Sequence, residues 1–336
     1  EDMSTVQDLR REIRDFIQHP RRLSPLLHDK PNWNMLVSSF DTLSDTQYAI
    51  ETYEAMPAVG DTGMLYLVIY GILQALYVQQ DTVESMVRAF EPNAQPRYRI
   101  EDEPEADEIR KIRNRAIGHP TVEGNVKSRK TPGVQMSHRV VQHSMHKAGF
   151  TLMTGFADGS YTFTDVSIPE LIHKNRSMVE RVLRRIKDKL EAADMEHQKQ
   201  FKGEKLADIF PQTLDYYFEK ILAGIDSPAS DDGKWANHHL QRVAEVVQGF
   251  RAALGRRGEL NRTSNYEYYL AEVEYPIVEL QQYYAGTGSL KDPRAARIFA
   301  YFARDKVCKL EKMAIELDEE YEQHLSPEQG STNPGA

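Results

Sequence analysis

The chain of 336 residues has one cysteine, Cys308. A single thiol closes neither an internal disulfide nor a structural zinc site. Reduced, solitary cysteines are the habit of intracellular proteins, so a cytoplasmic chain is expected. Cys308 lies in the helical stretch RDKVCKLEKM and reads as a buried structural thiol. A positive charge balance is also missing. The net charge of −9 provides no global field for nucleic acid, so any such site must be a local basic patch on an acidic body. The longest apolar run, MLYLVIYGILQALYV at 64–78, is interrupted by Gln74 and falls short of the ~20 residues that cross a bilayer. It reads as a buried core helix, and no membrane partner is expected. The first residues, EDMSTVQDLRREIRDF, are charged throughout, unlike a secretory leader. There is no P-loop, dinucleotide fingerprint, G-x-S-x-G or zincin motif.

What is present is ordinary globular material, 40% apolar and 28% charged, with length enough for about two domains. Helical periodicity is expected over 4–18, over 32–56 up to Pro57, and from Asp61 or Thr62 to Phe90. The last of these is apolar on most sides through 64–78, as the central helix of a bundle would be. The segment EPNAQPRYRIEDEP breaks the pattern. A further helix starts near Pro104 and stops at Gly118-His119-Pro120. HRVVQHSM, GFTLMTGF and SYTFTDV, within 138–166, read as a three-stranded antiparallel meander. Helices resume over 168–198, 204–223, 235–256, 264–285 and 292–324. GIDSPASDDGK at 224–234 is the best linker candidate. The expected fold is mainly α: residues 1–200 a helical bundle with the small meander, 201–325 a C-terminal helical module, and 326–336 a disordered tail.

One helix face is odd. At about 100° per residue, Ile109, Ile112, Ala116 and Ile117 form an apolar stripe, and Arg113 falls inside it. Glu105 falls inside it too, and His119 lies on its edge if the helix persists that far. A guanidinium is always charged, and burying it unpaired costs several kcal/mol. Arg113 therefore needs a carboxylate, with Glu105 the candidate for an ion pair, or a polar cleft that takes an anion.

RNRAIGH, residues 113–119, resembles the R-x(4–6)-H signature of HEPN domains, in which the residue after the arginine is often Asn, His or Asp. The resemblance covers about residues 4–125, where the motif closes the last helix of an α bundle after a long apolar helix. It implies a metal-independent endoribonuclease that works as a homodimer, with two Arg and two His lining one cleft and no cofactor. Carried over, Arg113 and His119 are the catalytic residues and Asn114 the orienting amide, with Glu105 and Arg115 as support. His119 would serve as general acid or base, and Arg113 would clamp the phosphate. The implied setting is a bacterial toxin or phage-defence system, with an inhibitory or activating protein partner. Residues 110–130 hold seven basic residues against one acid, a local charge of +6. Arg110, Lys111, Lys127, Arg129 and Lys130 thus make an RNA-binding patch beside the motif. In this scheme the apolar stripe packs against a symmetric copy, which makes Arg113 interfacial.

The alternative is a non-catalytic helical module that binds RNA or protein through a degenerate HEPN-like bundle. Other candidates are weaker. His138, His143 and His146 do not converge from one strand on a metal. The tyrosine-rich helix at 264–284 has no interleaved basic residue and reads as helix packing or a protein-facing surface.

Overall fold

The computed structural model describes residues 5–118, 136–156, 158–261 and 264–323. Among these, ten α-helices and one three-stranded antiparallel sheet form two compact units. The first unit comprises residues up to Gln18 and Leu26–Leu190; the second comprises His19–Pro25 and residues from Glu191 onward. The mainly α expectation with a small meander is met. The division falls inside a helix, about ten residues before the expected one.

In the first unit, α1 (Val6–Ile17) opens on a capping box between Thr5 and Asp8. A short α2 (Pro20–His28), not among the expected helices, has its residues up to Pro25 in the second unit and the rest in the first; Pro20 opens it, where no N–H is needed. α3 (Lys30–Ala55) and α4 (Thr62–Phe90) follow, the latter capped by Asp61, one of the two expected candidates. α5 (Pro104–Arg113) continues into a π-helical turn, Asn114–Gly118. The strands β1 (Met136–Val140), β2 (Gly149–Phe156) and β3 (Tyr161–Ser167) lie in the order β1-β2-β3. β1 is shorter than expected, because Gln142–Ser144 turn into a 3₁₀ helix. Most of α6 (Ile168–Gln200) completes the unit.

Two apolar clusters fill it. One gathers Leu9, Ile13, Phe40, Met86 and Leu183; the other gathers Ile69, Leu73, Leu76, Ile109, Phe150 and Ile172. A chain of buried amides separates them: Gln80 donates to Asn175 (3.0 Å), Asn175 to Gln79 (2.7 Å) and Gln79 to Gln47 (3.2 Å). Each amide has one geometry that satisfies its neighbour, so the chain fixes the register of α3, α4 and α6.

α4 is not surrounded on all sides, as expected from its composition. Leu67 is 69% exposed, Met64 48% and Tyr70 39%. With Gly71 and half-buried Gln74 and Tyr77 they form one open stripe at three- and four-residue spacing. Length and composition alone also qualify α4 as a membrane span.

The second unit contains α7 (Leu214–Ala223), α8 (Asp231–Arg256), α9 (Tyr266–Ala285) and α10 (Pro293–Gln323). The helix expected over 204–223 begins ten residues later, after a 3₁₀ turn and Pro211. Residues 224–234 are not a linker. They join α7 to α8 within one core, with Ile225 fully buried and Tyr283 donating to its carbonyl (2.7 Å). Their glycines mark close packing: a β-carbon at Gly233 would lie 2.2 Å from the Pro228 carbonyl oxygen. Of the tyrosines at 264–284, Tyr283 and Tyr284 pack inside, while Tyr268 and Tyr275 are exposed. Cys308 is half-buried rather than buried. Desolvation and nearby Asp215 and Glu311 push its thiol up, away from the reactive thiolate.

Candidate functional site around Arg113

α5 delivers Arg113 at its last position, and α4 supplies what holds it. Arg113 donates from Nε (3.2 Å) and Nη2 (2.8 Å) to Gln74 Oε1, and from Nη1 to Asn114 Oδ1 (3.0 Å). Its guanidinium carbon lies 4.6 Å from the centre of the Tyr77 ring. Among the described residues Arg113 has no ion pair. The expected carboxylate, Glu105, is engaged elsewhere: it accepts two bonds from Arg181 (3.1 Å each), and these hold its carboxyl below the ordinary range. The partner of Arg113 is thus a neutral amide and an aromatic face. Five N–H groups less three bonds leaves two unspent, one on each terminal nitrogen, on a half-buried side chain.

The π turn follows directly. Its i→i+5 bonding widens the helix and shifts the phase of residues after 113 from that of an α-helix. Ile109 and Ala116 face the unit's own core, and Ile112 and Ile117 pack beside them. The buried part of the stripe, Ile109 and Ala116, therefore packs inside the unit, where the expectation had the stripe meet a second copy. Gly118 closes the turn against the guanidinium: a β-carbon there would lie 2.8 Å from Arg113 Nη1 and 3.1 Å from Asn114 Oδ1.

Arg110, expected to bind RNA, is 8% exposed and structural. It pairs with Asp81 and Glu101 and lies 4.4 Å from the same Tyr77 ring. Burial works against its charge, but the hydrogen bond to Asp81 and the charges of Asp81, Tyr77 and Glu101 together outweigh it and raise its pKa. Lys111 is exposed and paired with Asp107 (2.5 Å). Two members of the expected basic patch therefore have acid partners. Arg115 is half-buried on the π turn. His119, Lys127, Arg129 and Lys130 lie outside the described residues.

The sequence reading missed Gln74, Tyr77 and Gly118. Gln74 carried a signal, being a lone amide in an apolar run. The histidines of the meander do not gather: His138 Nδ1 bonds Thr154 Oγ1 (2.9 Å) in the sheet, and His143 sits on the 3₁₀ turn. No group of three potential metal ligands occurs among the described residues. No protein-family model, curated protein or solved structure matches the chain.

Proposed function

We propose that the chain is a HEPN-type endoribonuclease, with Arg113, Asn114 and His119 as its catalytic group. The observation that carries this reading is the state of Arg113. A stabilising arginine sits beside acids, as Arg110 does beside Asp81 one helical turn earlier. Arg113 is instead oriented by neutral groups, Gln74, Asn114 and the Tyr77 ring, and keeps two N–H groups and its full positive charge. That is a preorganised anion site.

In RNA cleavage, a ribose 2′-hydroxyl attacks the adjacent phosphorus, and the phosphate gains negative charge in the transition state. The two unspent N–H groups of Arg113 take two phosphate oxygens and bind more strongly as that charge grows. His119, five residues beyond Asn114, supplies the proton transfer, because an imidazole can serve either as acid or as base near neutral pH. Asn114 and Gln74 keep the guanidinium plane fixed. The scheme uses no metal.

A homodimer fits the open stripe on α4. Leu67, Tyr70 and Gly71 lead to Gln74 and so to Arg113. A second copy packed there isologously brings its own Arg113 to the same cleft. The biological setting that goes with this reading is a bacterial toxin or phage-defence system, restrained or triggered by a protein partner.

The test is cleavage of total RNA and tRNA by purified protein in EDTA, wild type beside His119→Ala. Cleavage by wild type alone, leaving 2′,3′-cyclic phosphate ends, is expected. A folded dimer that binds RNA but cuts nothing would replace this reading with the non-catalytic binding module.

A further inference from the structure

β3 ends the sheet. β2 lies on one side of it, and among the described residues no strand lies on the other. The hydrogen bonds at both ends of the β2–β3 pair fix the direction of every backbone group between them. Phe156 N–H donates to Ser160 O (3.0 Å), and Ile168 N–H donates to Ala148 O (2.9 Å). The register runs from Gly149↔Ser167 to Gly155↔Tyr161, and in an antiparallel ladder bonded pairs recur at every second residue. Ser160, Thr162, Thr164 and Val166 therefore exchange bonds with β2. The N–H and C=O groups of Tyr161, Phe163 and Asp165 point outward.

Side chains do not protect this edge. Residues 161–165 are all exposed, Phe163 at 65% and Tyr161 at 61%. Proteins normally guard such an edge with lysine, proline or a covering element. β3 contains neither lysine nor proline, and its one charge is Asp165. On the outer face the Tyr161 ring lies over Gly155, where a β-carbon would meet it at 3.2 Å, so this residue is held flat along the sheet.

We propose that β3 pairs antiparallel with β3 of a second copy about a two-fold axis at Phe163, joining two three-stranded sheets into one of six strands. In this register Phe163 faces Phe163, Tyr161 faces Asp165, and Thr162 faces Thr164. All six outward groups on each strand are satisfied at once. Aromatic and threonine cross-strand pairs are favourable. Charge also permits self-pairing. Asp165 is already bonded on its own sheet by Thr151 (2.7 Å), and the two Asp165 residues of the pair stand roughly 13 Å apart, beyond the screening length of about 8 Å. A single strand pair buries less than the ~1,000 Å² of a stable interface, so the contact forms in concentrated solution and opens on dilution. The proposal is independent of the ribonuclease reading and uses a surface other than the α4 stripe.

Residue-resolved hydrogen exchange in dilute and in concentrated solution tests it. Thr162, Thr164 and Val166 should exchange slowly in both. Tyr161, Phe163 and Asp165 should exchange fast when dilute and roughly tenfold more slowly when concentrated. Phe163→Pro removes only an outward N–H and leaves the β2 ladder intact, so it should abolish the concentration dependence without changing the slow amides. Phe163→Lys, which keeps the N–H but sets two like charges face to face, should do the same and covers the case in which the proline variant fails to fold. Equally fast exchange of the three outward amides at every concentration would overturn the proposal. So would slow exchange that persists on dilution, which would mean that something within the chain covers the edge.

Discussion

Gly118 leaves the space that the Arg113 guanidinium occupies. A β-carbon at 118 would stand 2.8 Å from Nη1, closer than such contacts allow. The glycine of RNRAIGH thus acts as a seat for the arginine as well as a helix end. The atom displaced is the far end of a flexible side chain, so the fold can absorb the change while the two unspent N–H groups cannot keep their aim. Gly118→Ala should leave the melting temperature within about 2 °C and lower RNA cleavage about tenfold or more. Cleavage rates and melting curves on the same samples check this, and unchanged cleavage counts against the seat.

Gln74→Glu separates stability from function. It gives Arg113 a carboxylate in place of a neutral amide, which should hold or raise stability by up to about 1 kcal/mol at this half-buried position. The same pair cancels the charge offered to phosphate, so RNA affinity and cleavage should both fall. Filter binding in low salt beside denaturant unfolding reads both effects. Tighter RNA binding by the variant would show that Arg113 does not meet the phosphate.

Arg110 should behave oppositely to Arg113. It is buried, paired with Asp81 and packed on Tyr77. Asp81 is half-exposed and can recover solvent, so the loss in Arg110→Ala is moderated to about 2 kcal/mol. A shifted urea midpoint with cleavage retained per folded molecule is the expected outcome.

In the second unit, Asp194 should set an acid limit. Burial works to raise its carboxyl, but bonds from Arg22 and Arg21 outweigh this and hold it below the ordinary 3.8. The folded state thus binds that proton less tightly than the unfolded one. The resulting stability is full above about pH 4 and is lost as pH falls through the lower folded value. Glu259, which burial raises, contributes the opposite slope. Melting temperature against pH should fall more steeply for wild type than for Asp194→Asn below about pH 4, and parallel curves would contradict this.

Helices with a capping residue and a clear period were legible in the sequence: Asp61 opening α4, Pro104 opening α5, and the Val-, Thr- and Phe-rich strands of the meander. Short-range signals failed where tertiary packing reassigned them. The expected helices left residues 19–31 out, yet Pro20 opens α2 there. The glycines near 224–234 read as a flexible joint but serve close packing. The site was half legible. Spacing showed that Arg113 needed a partner, and a neighbouring acid was the natural candidate. The actual partners, Gln74 and Tyr77, sit nearly forty residues earlier on another helix, where only the fold brings them near. The π turn was not legible, because nothing in NRAIG marks the change from i→i+4 to i→i+5 bonding.

The most direct test of the central claim is Arg113→Ala, assayed for RNA cleavage and thermal unfolding together. If Arg113 is kept for phosphate, cleavage should fall at least about a hundredfold while the melting temperature moves by no more than about 3 °C. A large drop in melting temperature with cleavage per folded molecule unchanged would make Arg113 a structural residue and remove the site described here.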